Sequence, residues 1–196
     1  MVDYVALKAK VQELADRDWD MPAIEARHIK LLAEGIPRKI LDREEILANE
    51  QEILSRVQQS AEEYNFYACN CARSTALALL EEFGLGSMEI VKALSPFPGF
   101  GGTGGMCGGI TGGLIAIGLF LGNEDLRDFY SVDETIGAAR QFIMRFEEEV
   151  GAVVCPKIHE VVFGRYMDPA ASPEIQMRIR VRIVRWKSTD LRRSPG

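Results

Sequence analysis

The chain has 196 residues, of which 47% are hydrophobic and 27% are charged. This balance is that of an ordinary globular protein large enough to bury its own core. The net charge of −6 is distributed unevenly along the chain. The segment from Met177 onward contains seven basic residues and only one acidic residue, Asp190. The remainder therefore carries about −12, and a body this acidic is a poor binder of nucleic acid, so no such partner is expected.

Residues 1–19 mix acidic and basic side chains and lack the apolar stretch of a secretory signal, so we expect a cytoplasmic protein. Structural disulfides are rare in that compartment, and four cysteines therefore favour metal binding or redox chemistry. The segment 93–123 contains no charged residue, but its apolar part of about 16 residues is at the short limit for a membrane span. We expect a buried helix there and no span.

Helices are the predicted elements of the first third of the chain. Apolar residues at three- and four-residue spacing predict helices over 4–17 and 22–34. Asp42 then opens a long helix that reaches Tyr64, because Asp42 and Glu45 form a capping box. The inward stripe of this long helix comprises Ile46, Leu47, Ile53, Leu54, Val57, Ala61 and Tyr64.

The helical pattern continues through the rest of the domain. The predicted helices span 71–83, 87–94, 106–121, 131–150 and 155–163. A glycine-rich loop over 95–105 leads into the third of them, which is apolar and rich in small residues. Ser131 and Glu134 form a capping box for the fourth, and Cys155 before Pro156 is a natural N-cap for the fifth. The prediction is an all-α fold, a bundle of five or more helices with the glycine-rich loop leading into a buried apolar helix.

Three of the four cysteines lie at predicted helix starts. Cys71 is in the first turn of one helix, Cys107 follows the glycine-rich loop, and Cys155 caps the last helix. Helix N-termini carry a partial positive charge, which lowers a thiol pKa and stabilises thiolates and anionic clusters alike. Cys69 can share a centre with Cys71 only from outside the helix, because side chains two residues apart diverge by about 200°. An iron–sulfur cluster, a structural zinc ion and redox disulfides all remain compatible with this pattern.

The glycines before and after Cys107 are the second candidate feature. The loop contains a formal G-x-G-x-x-G match at 99–104, but no strand precedes it, so nucleotide binding is not expected. We interpret Gly104, Gly105 and Gly108 as cofactor-binding positions, where the backbone approaches a bulky group and offers N–H donors to its sulfurs.

The sequence contains two histidines. His159 lies four residues after Cys155 on the same predicted helical face, so it can replace one sulfur ligand or donate a hydrogen bond to a cluster. His28 lies among charged residues and is predicted on a solvated face. No serine triad or carboxylate pair occurs in a supporting context, so no catalytic residue is assigned.

Two segments and a later cysteine resemble a known family. The segment 70–85 begins Asn-Cys-Ala and continues into a leucine-rich helix that ends Phe-Gly-Leu. It resembles the signature of the redox-active proteins named for their C_GCAxxG_C_C cysteine pattern. The segment 107–114 resembles the second cysteine block of that family, and Cys155 resembles the last. Asn70 and Thr75 stand where the family name has glycine.

The resemblance implies a redox function. A related cysteine-rich module in split-Soret cytochromes also implies an iron–sulfur centre, with a two-iron (2Fe–2S) cluster favoured over a four-iron (4Fe–4S) cluster. On this hypothesis Cys71, Cys107 and Cys155 are metal ligands, Cys69 is the fourth, and His159 is held in reserve. The function would be electron transfer or redox sensing.

Two alternatives use the same residues. A metal-free thiol–disulfide oxidoreductase would employ Cys107 or Cys71 as the attacking thiolate and another cysteine to resolve the intermediate. An interaction protein would use zinc or the cysteines only to hold its helices together. The redox partner protein is not identified by the sequence.

The expected organisation has three parts. A helical extension over 1–57 would pack on the domain or make a homodimer, and a four-cysteine redox domain would span 58–168. A basic C-terminal tail over 169–196 would follow, with a strand-like alternation of Arg and aliphatic residues at 178–186.

Overall fold

The structure is a computed structural model and describes residues 2–168. Within that range the chain forms ten helical segments and no strand, which confirms the all-α prediction. The segments are α1 (Tyr4–Asp16), α2 (Met21–Glu34), α3 (Arg43–Ala48), α4 (Glu50–Ala68), α5 (Cys71–Phe83), α6 (Met88–Ala93), α7 (Gly99–Gly102), α8 (Gly108–Leu121), α9 (Phe129–Val150) and α10 (Cys155–Phe163). The predicted basic tail and its strand-like alternation lie outside the described residues.

Helix α5 is the centre of the bundle, and it packs against both α4 and α8. Its boundaries match the prediction, because Asn70 caps its start by accepting the Arg73 N–H, and Gly84 ends it in a left-handed conformation (φ 63°). The main core cluster comprises Leu31, Ile36, Tyr64, Leu77, Ala78, Leu80, Val91 and Ala116. A second cluster, formed by Ala72, Ala76 and Leu94, lies at the end of α5 that carries Cys71.

The predicted long helix from Asp42 to Tyr64 was wrong in one respect, since it is broken into α3 and α4. Asn49 lies between them with non-helical backbone angles (φ −110°, ψ 20°). Asp42 caps α3 as expected, accepting the N–H groups of Glu44 and Glu45. Of the predicted inward stripe, Tyr64 is buried, whereas Leu47 and Leu54 are 61% and 54% exposed.

Two predicted helix starts also differ from the structure. Helix α9 begins before the expected capping box, because the Asp128 carboxylate accepts the Ser131 N–H and caps the helix earlier. Cys155 is the first residue of α10, and Val154 is its N-cap. Val154 is held extended (φ −100°, ψ 140°) by an antiparallel bridge to Met106, so the helix cannot start before it.

The two N-terminal helices contact the rest of the molecule in different ways. Helix α1 has no buried residue, and Glu62 of α4 pairs with Lys10 of α1 (3.0 Å) and with Arg17, the residue that follows α1 (2.8 Å). Helix α2 buries Ile24 and Leu31. No helix between residues 2 and 168 is both long enough and apolar enough to cross a membrane.

Candidate redox centre

Three of the four cysteines lie near one another at the N-terminal ends of three helices. Cys71 is the first residue of α5, Cys107 is the N-cap of α8, and Cys155 is the first residue of α10. The Cys71 thiol is a hydrogen-bond partner of Cys107, and the charges of Cys107 and Cys155 act on their neighbours in the group. We call these three residues the cysteine triad.

A short backbone clamp holds Cys107 beside Cys155. The Cys107 N–H donates to the carbonyl of Val153 (2.8 Å), and the Cys155 N–H donates to the carbonyl of Gly105 (2.9 Å). Met106 and Val154 form an antiparallel bridge between these two bonds. Because both cysteines belong to hydrogen-bonded segments, their Cα positions are fixed by the backbone itself.

Close helix packing brings Cys71 to the same place. A Cβ atom on Gly108 would collide with the Cys71 sulfur and would lie 2.9 Å from the Ala72 nitrogen. One turn later, a Cβ atom on Gly112 would lie 2.5 Å from the carbonyl oxygen of Ala72. The absence of side chains at Gly108 and Gly112 therefore allows α8 to approach α5 closely enough for Cys71 and Cys107 to meet.

Hydrogen bonds favour the ionised form of Cys107. The Cys71 thiol donates to its sulfur, and the backbone N–H groups of Gly109 and Ile110 donate as well. Although burial opposes them, these donors together lower the pKa of Cys107 to about 6. Cys107 is therefore the cysteine of the triad that ionises most readily.

The other two triad cysteines favour the neutral thiol. The hydrogen bond to Cys107 raises the pKa of Cys71 far above its usual range, and burial raises it further. The Gly108 N–H bonds to the Cys71 sulfur but does not reverse this effect. Burial, together with the negative charge of Cys107, raises the pKa of Cys155 to about 11. Cys107 is thus the most acidic cysteine of the triad, and Cys71 is the hydrogen-bond donor to its sulfur.

Cys69 lies outside both neighbouring helices, as a shared centre would require, but its sulfur is directed elsewhere. It ends α4 in a left-handed conformation (φ 51°) and is exposed. Its sulfur contacts the carbonyl of Phe66, at 3.9 Å, within its own helix. None of the interactions of the described residues joins Cys69 to the triad, so its role as a fourth ligand stays a prediction.

His159 lies against the third triad cysteine. Its Nε2 atom is 3.5 Å from the Cys155 sulfur, and its Nδ1 atom is 3.3 Å from the backbone nitrogen of Met167. Burial lowers the pKa of His159, which favours the neutral ring. The expected proximity of Cys155 and His159 on one helical face is present.

The three predicted glycine positions differ in what they contact. Gly108 packs directly on Cys71 and donates its N–H to that sulfur. Gly105 supplies the carbonyl that holds Cys155, but its own N–H bonds to Gly99. Gly104 has a left-handed backbone (φ 79°), and a Cβ atom there would lie 3.1 Å from Pro156. Their role in binding a cofactor stays a prediction.

Sequence reasoning missed two residues of the site. Gly112 allows α8 to approach α5 closely, but it was not singled out. The regular spacing of small residues along 105–113 could have indicated such a close helix contact. Tyr166 packs its ring 5.6 Å from that of His159, and Cys155 acts electrostatically on its hydroxyl. No motif marks Tyr166, because it follows the last helix and reaches the site only through the fold.

The triad alone does not complete a metal site. A zinc or iron centre bound by protein ligands alone needs four donors, whereas the triad supplies three sulfurs. Among residues 2–168, no group of three or more His, Cys, Asp or Glu side chains has the arrangement to hold a metal ion. The described residues therefore do not present a finished ligand set for the predicted cluster.

Comparison with known proteins supports the resemblance seen in the sequence. Residues 69–178 match the model of a family described as "Putative redox-active protein (C_GCAxxG_C_C)". The match spans more than half of the chain and contains all four cysteines. Neither a curated protein nor a solved structure matches the chain. With three of its four cysteines near one another at helix N-termini, the chain belongs to this C_GCAxxG_C_C family.

Proposed function

We propose that the protein is a cytoplasmic redox protein in which Cys71 and Cys107 form a two-electron dithiol–disulfide couple. One observation carries the proposal: the Cys107 sulfur accepts hydrogen bonds from the Cys71 thiol and from two N–H groups at the start of α8. A stabilised thiolate beside a second thiol is the arrangement that thiol–disulfide exchange requires.

The exchange uses each of the two cysteines once. The Cys107 thiolate attacks a disulfide of a partner, so a mixed disulfide forms and one partner sulfur leaves as a thiolate. Cys71 then loses its proton and attacks the Cys107 sulfur, which releases the second partner sulfur. The partner disulfide gains two electrons and becomes a dithiol, while Cys71 and Cys107 become a disulfide. Protons taken up by the partner thiolates come from Cys71 and from solvent.

An iron–sulfur centre is the second candidate, because a third sulfur, that of Cys155, joins the pair at another helix N-terminus. Cys71, Cys107 and Cys155 would hold the cluster, and a two-iron cluster is the favoured type. Such a cluster supplies one-electron transfer when bound. The Gly108, Gly109 and Ile110 N–H groups would then donate to anionic sulfur. Cys69 would have to turn from Phe66 to become the fourth ligand.

The first experiment is a purification without oxygen, followed by measurement of bound iron, zinc, acid-labile sulfide and free thiols. Our proposal expects substoichiometric metal and the reversible loss of two thiols on mild oxidation. Mapping by mass spectrometry should place the resulting disulfide between Cys71 and Cys107. Cys71→Ser and Cys107→Ser should each prevent it, whereas Cys69→Ser is the matched control and should not.

Other results of that experiment would select a different centre. Iron and sulfide in matching amounts, lost on Cys107→Ser, would reject the metal-free couple and support the cluster. Stoichiometric zinc, with unfolding by a chelator, would support the interaction protein stabilised by zinc. A disulfide that pairs Cys69 with either triad cysteine would contradict the proposed couple directly.

A further inference from the structure

The two nitrogens of His159 face partners of different kinds. Nδ1 lies 3.3 Å from the backbone nitrogen of Met167, and Nε2 lies 3.5 Å from the sulfur of Cys155. A backbone N–H can only donate, so Nδ1 has to be the acceptor. In a neutral imidazole the proton is then on Nε2. The Nε2–H group therefore points at the Cys155 sulfur.

Aromatic packing keeps the ring in this orientation. The His159 ring contacts Phe163 edge-on, with 5.5 Å between ring centroids, and lies 5.6 Å from the ring of Tyr166. Because rings lie on two sides and hydrogen-bond partners lie at both nitrogens, rotation of His159 would break several contacts at once. The donor is thus preorganised before Cys155 carries a charge.

We propose that His159 is a positioning residue of the redox centre, whose Nε2–H is held against the sulfur of Cys155 and donates a hydrogen bond to it. The proposal rests on the triad as the redox centre. Of the two roles that the sequence allowed for His159, it selects the hydrogen-bond donor over the reserve ligand. A histidine that binds a metal normally donates a proton from its other nitrogen, and that nitrogen of His159 faces an N–H donor instead.

Nuclear magnetic resonance tests the tautomer without a variant at the site. The chain contains only two histidines, so in the His28→Gln variant all imidazole signals come from His159. We expect two-bond nitrogen–proton correlations of the reduced protein above pH 7 to show the proton on Nε2. A proton on Nδ1 would overturn the proposal.

Alkylation of Cys155 tests the consequence for reactivity. In the reduced protein, mass spectrometry can follow iodoacetamide modification of each cysteine separately, with exposed Cys69 as the internal reference. His159→Phe keeps an aromatic ring but removes the donor, and we expect Cys155 to react on the order of tenfold more slowly. His159→Gln retains an N–H donor and should restore most of the rate.

The direction of the change separates the donor role from a packing role. If His159 only filled space, its replacement would loosen the site and speed the modification of Cys155. An unchanged or faster rate in His159→Phe would therefore overturn the proposal, as would a His159→Gln rate as slow as that of His159→Phe. If His159→Phe does not fold, the proposal is still tested by the tautomer seen in the NMR spectrum and by the rate at which Cys155 is alkylated in His159→Gln. None of these measurements requires a Cys71–Cys107 disulfide, so the proposed function and this inference can fail independently.

Discussion

The α5–α8 pair and the α1–α4 pair are held together in opposite ways. In the first pair, Gly108 and Gly112 let the two backbones touch, and Ala72 and Ala76 beside them are fully buried. In the second pair, α1 has no fully buried residue, and Lys10 of α1 and Arg17 just after it form ion pairs with Glu62. Backbone contact fixes positions to a fraction of an ångström, whereas long charged side chains tolerate movement. Cys71 and Cys107, which have to lie close together to form a disulfide, are accordingly at the N-terminal ends of α5 and α8.

The largest expected effect concerns the ionisation of Cys107, which lies at the start of α8 in the tightly packed α5–α8 pair. Cys107 has a pKa of about 6, so its thiolate fraction rises through pH 6 and is nearly complete above pH 7. We expect the alkylation rate of Cys107 to follow that curve. An unperturbed cysteine, with a pKa near 8.5, would have a thiolate fraction about 300-fold lower at acidic pH.

The Cys71 thiol is the first cause of this low pKa, and a pair of variants isolates it. Cys71→Ala removes the donor and should move the midpoint of the rate profile upward, whereas Cys71→Ser keeps a hydroxyl donor and should move it less. Cys69→Ala is the control at an exposed cysteine. A midpoint near 8.5 in the unmodified protein would show that the two sulfurs do not interact.

The next largest effect should come from adding one methyl group between α5 and α8. The Cβ of Gly112→Ala would lie 2.5 Å from the Ala72 carbonyl and 3.0 Å from the Ala76 nitrogen. Neither backbone atom can move without separating the helices, so we expect a loss of about 3 kcal/mol in the free energy of unfolding. Chemical denaturation measures it, and formation of the Cys71–Cys107 disulfide should fail in parallel.

Gly118 provides a matched control in the same helix. A methyl group at Gly118 meets no other atom within 4 Å, and alanine has a higher helix propensity than glycine. Gly118→Ala should therefore stabilise the protein by about 0.5–1 kcal/mol. If both variants had the same effect, the close approach of α8 to α5 would not be what holds the site.

The sequence predicted most of α5 and α10 but not the meeting of the sulfurs. The boundaries of α5 follow from local signals, namely the Asn70 cap and the left-handed Gly84. The small residues of α8 were also visible, yet periodicity cannot tell which of them face α5, and the contact falls on Gly108 and Gly112. The distance between sulfurs depends on that choice of face, which is tertiary information.

Three errors in helix boundaries have other physical reasons. Helices α3 and α4 read as one because a single non-helical residue, Asn49, leaves the apolar spacing almost undisturbed. The start of α9 was missed because exposed Phe129 and Tyr130 follow the capping Asp128 and carry no helical signal of their own. Val154 caps α10 because of a bridge to Met106, which is far away in the sequence. Such long-range pairing overrides the local cap signal.

The hydrogen bonds of the Tyr64 hydroxyl should contribute a stabilisation that is intermediate between those of the two helix pairs. The Tyr64 side chain is buried; its hydroxyl donates to Glu81 at 2.6 Å and accepts from Nε of Arg27 at 2.8 Å. Tyr64→Phe would leave Glu81 and Arg27 without this partner, so we expect a loss of about 2 kcal/mol. Denaturation of Tyr64→Phe measures it, with Tyr67→Phe as a control at a less buried position. A loss below that of the control would indicate that water replaces the hydroxyl.

The smallest effect should come from the ion pairs of α1. Glu62→Gln removes a charge that faces Lys10 and Arg17 at 3.0 and 2.8 Å, and we expect a loss below about 1 kcal/mol, shrinking further in high salt. Burial would raise the pKa of Glu62, but donation from Gln58, Lys10 and Arg17 outweighs it, so the net pKa is lowered.

The lowered pKa of Glu62 fixes the sign of its pH dependence. Its contribution to stability is complete above the ordinary glutamate value of about 4.3 and is lost as the pH falls through the lower value of the folded state. The stability curves of the natural protein and Glu62→Gln should therefore converge in acid and separate at neutral pH. A difference that persists unchanged into acid would mean that Glu62 acts through packing. The α1–α4 pair would then resemble the α5–α8 pair more closely than its exposed charges suggest.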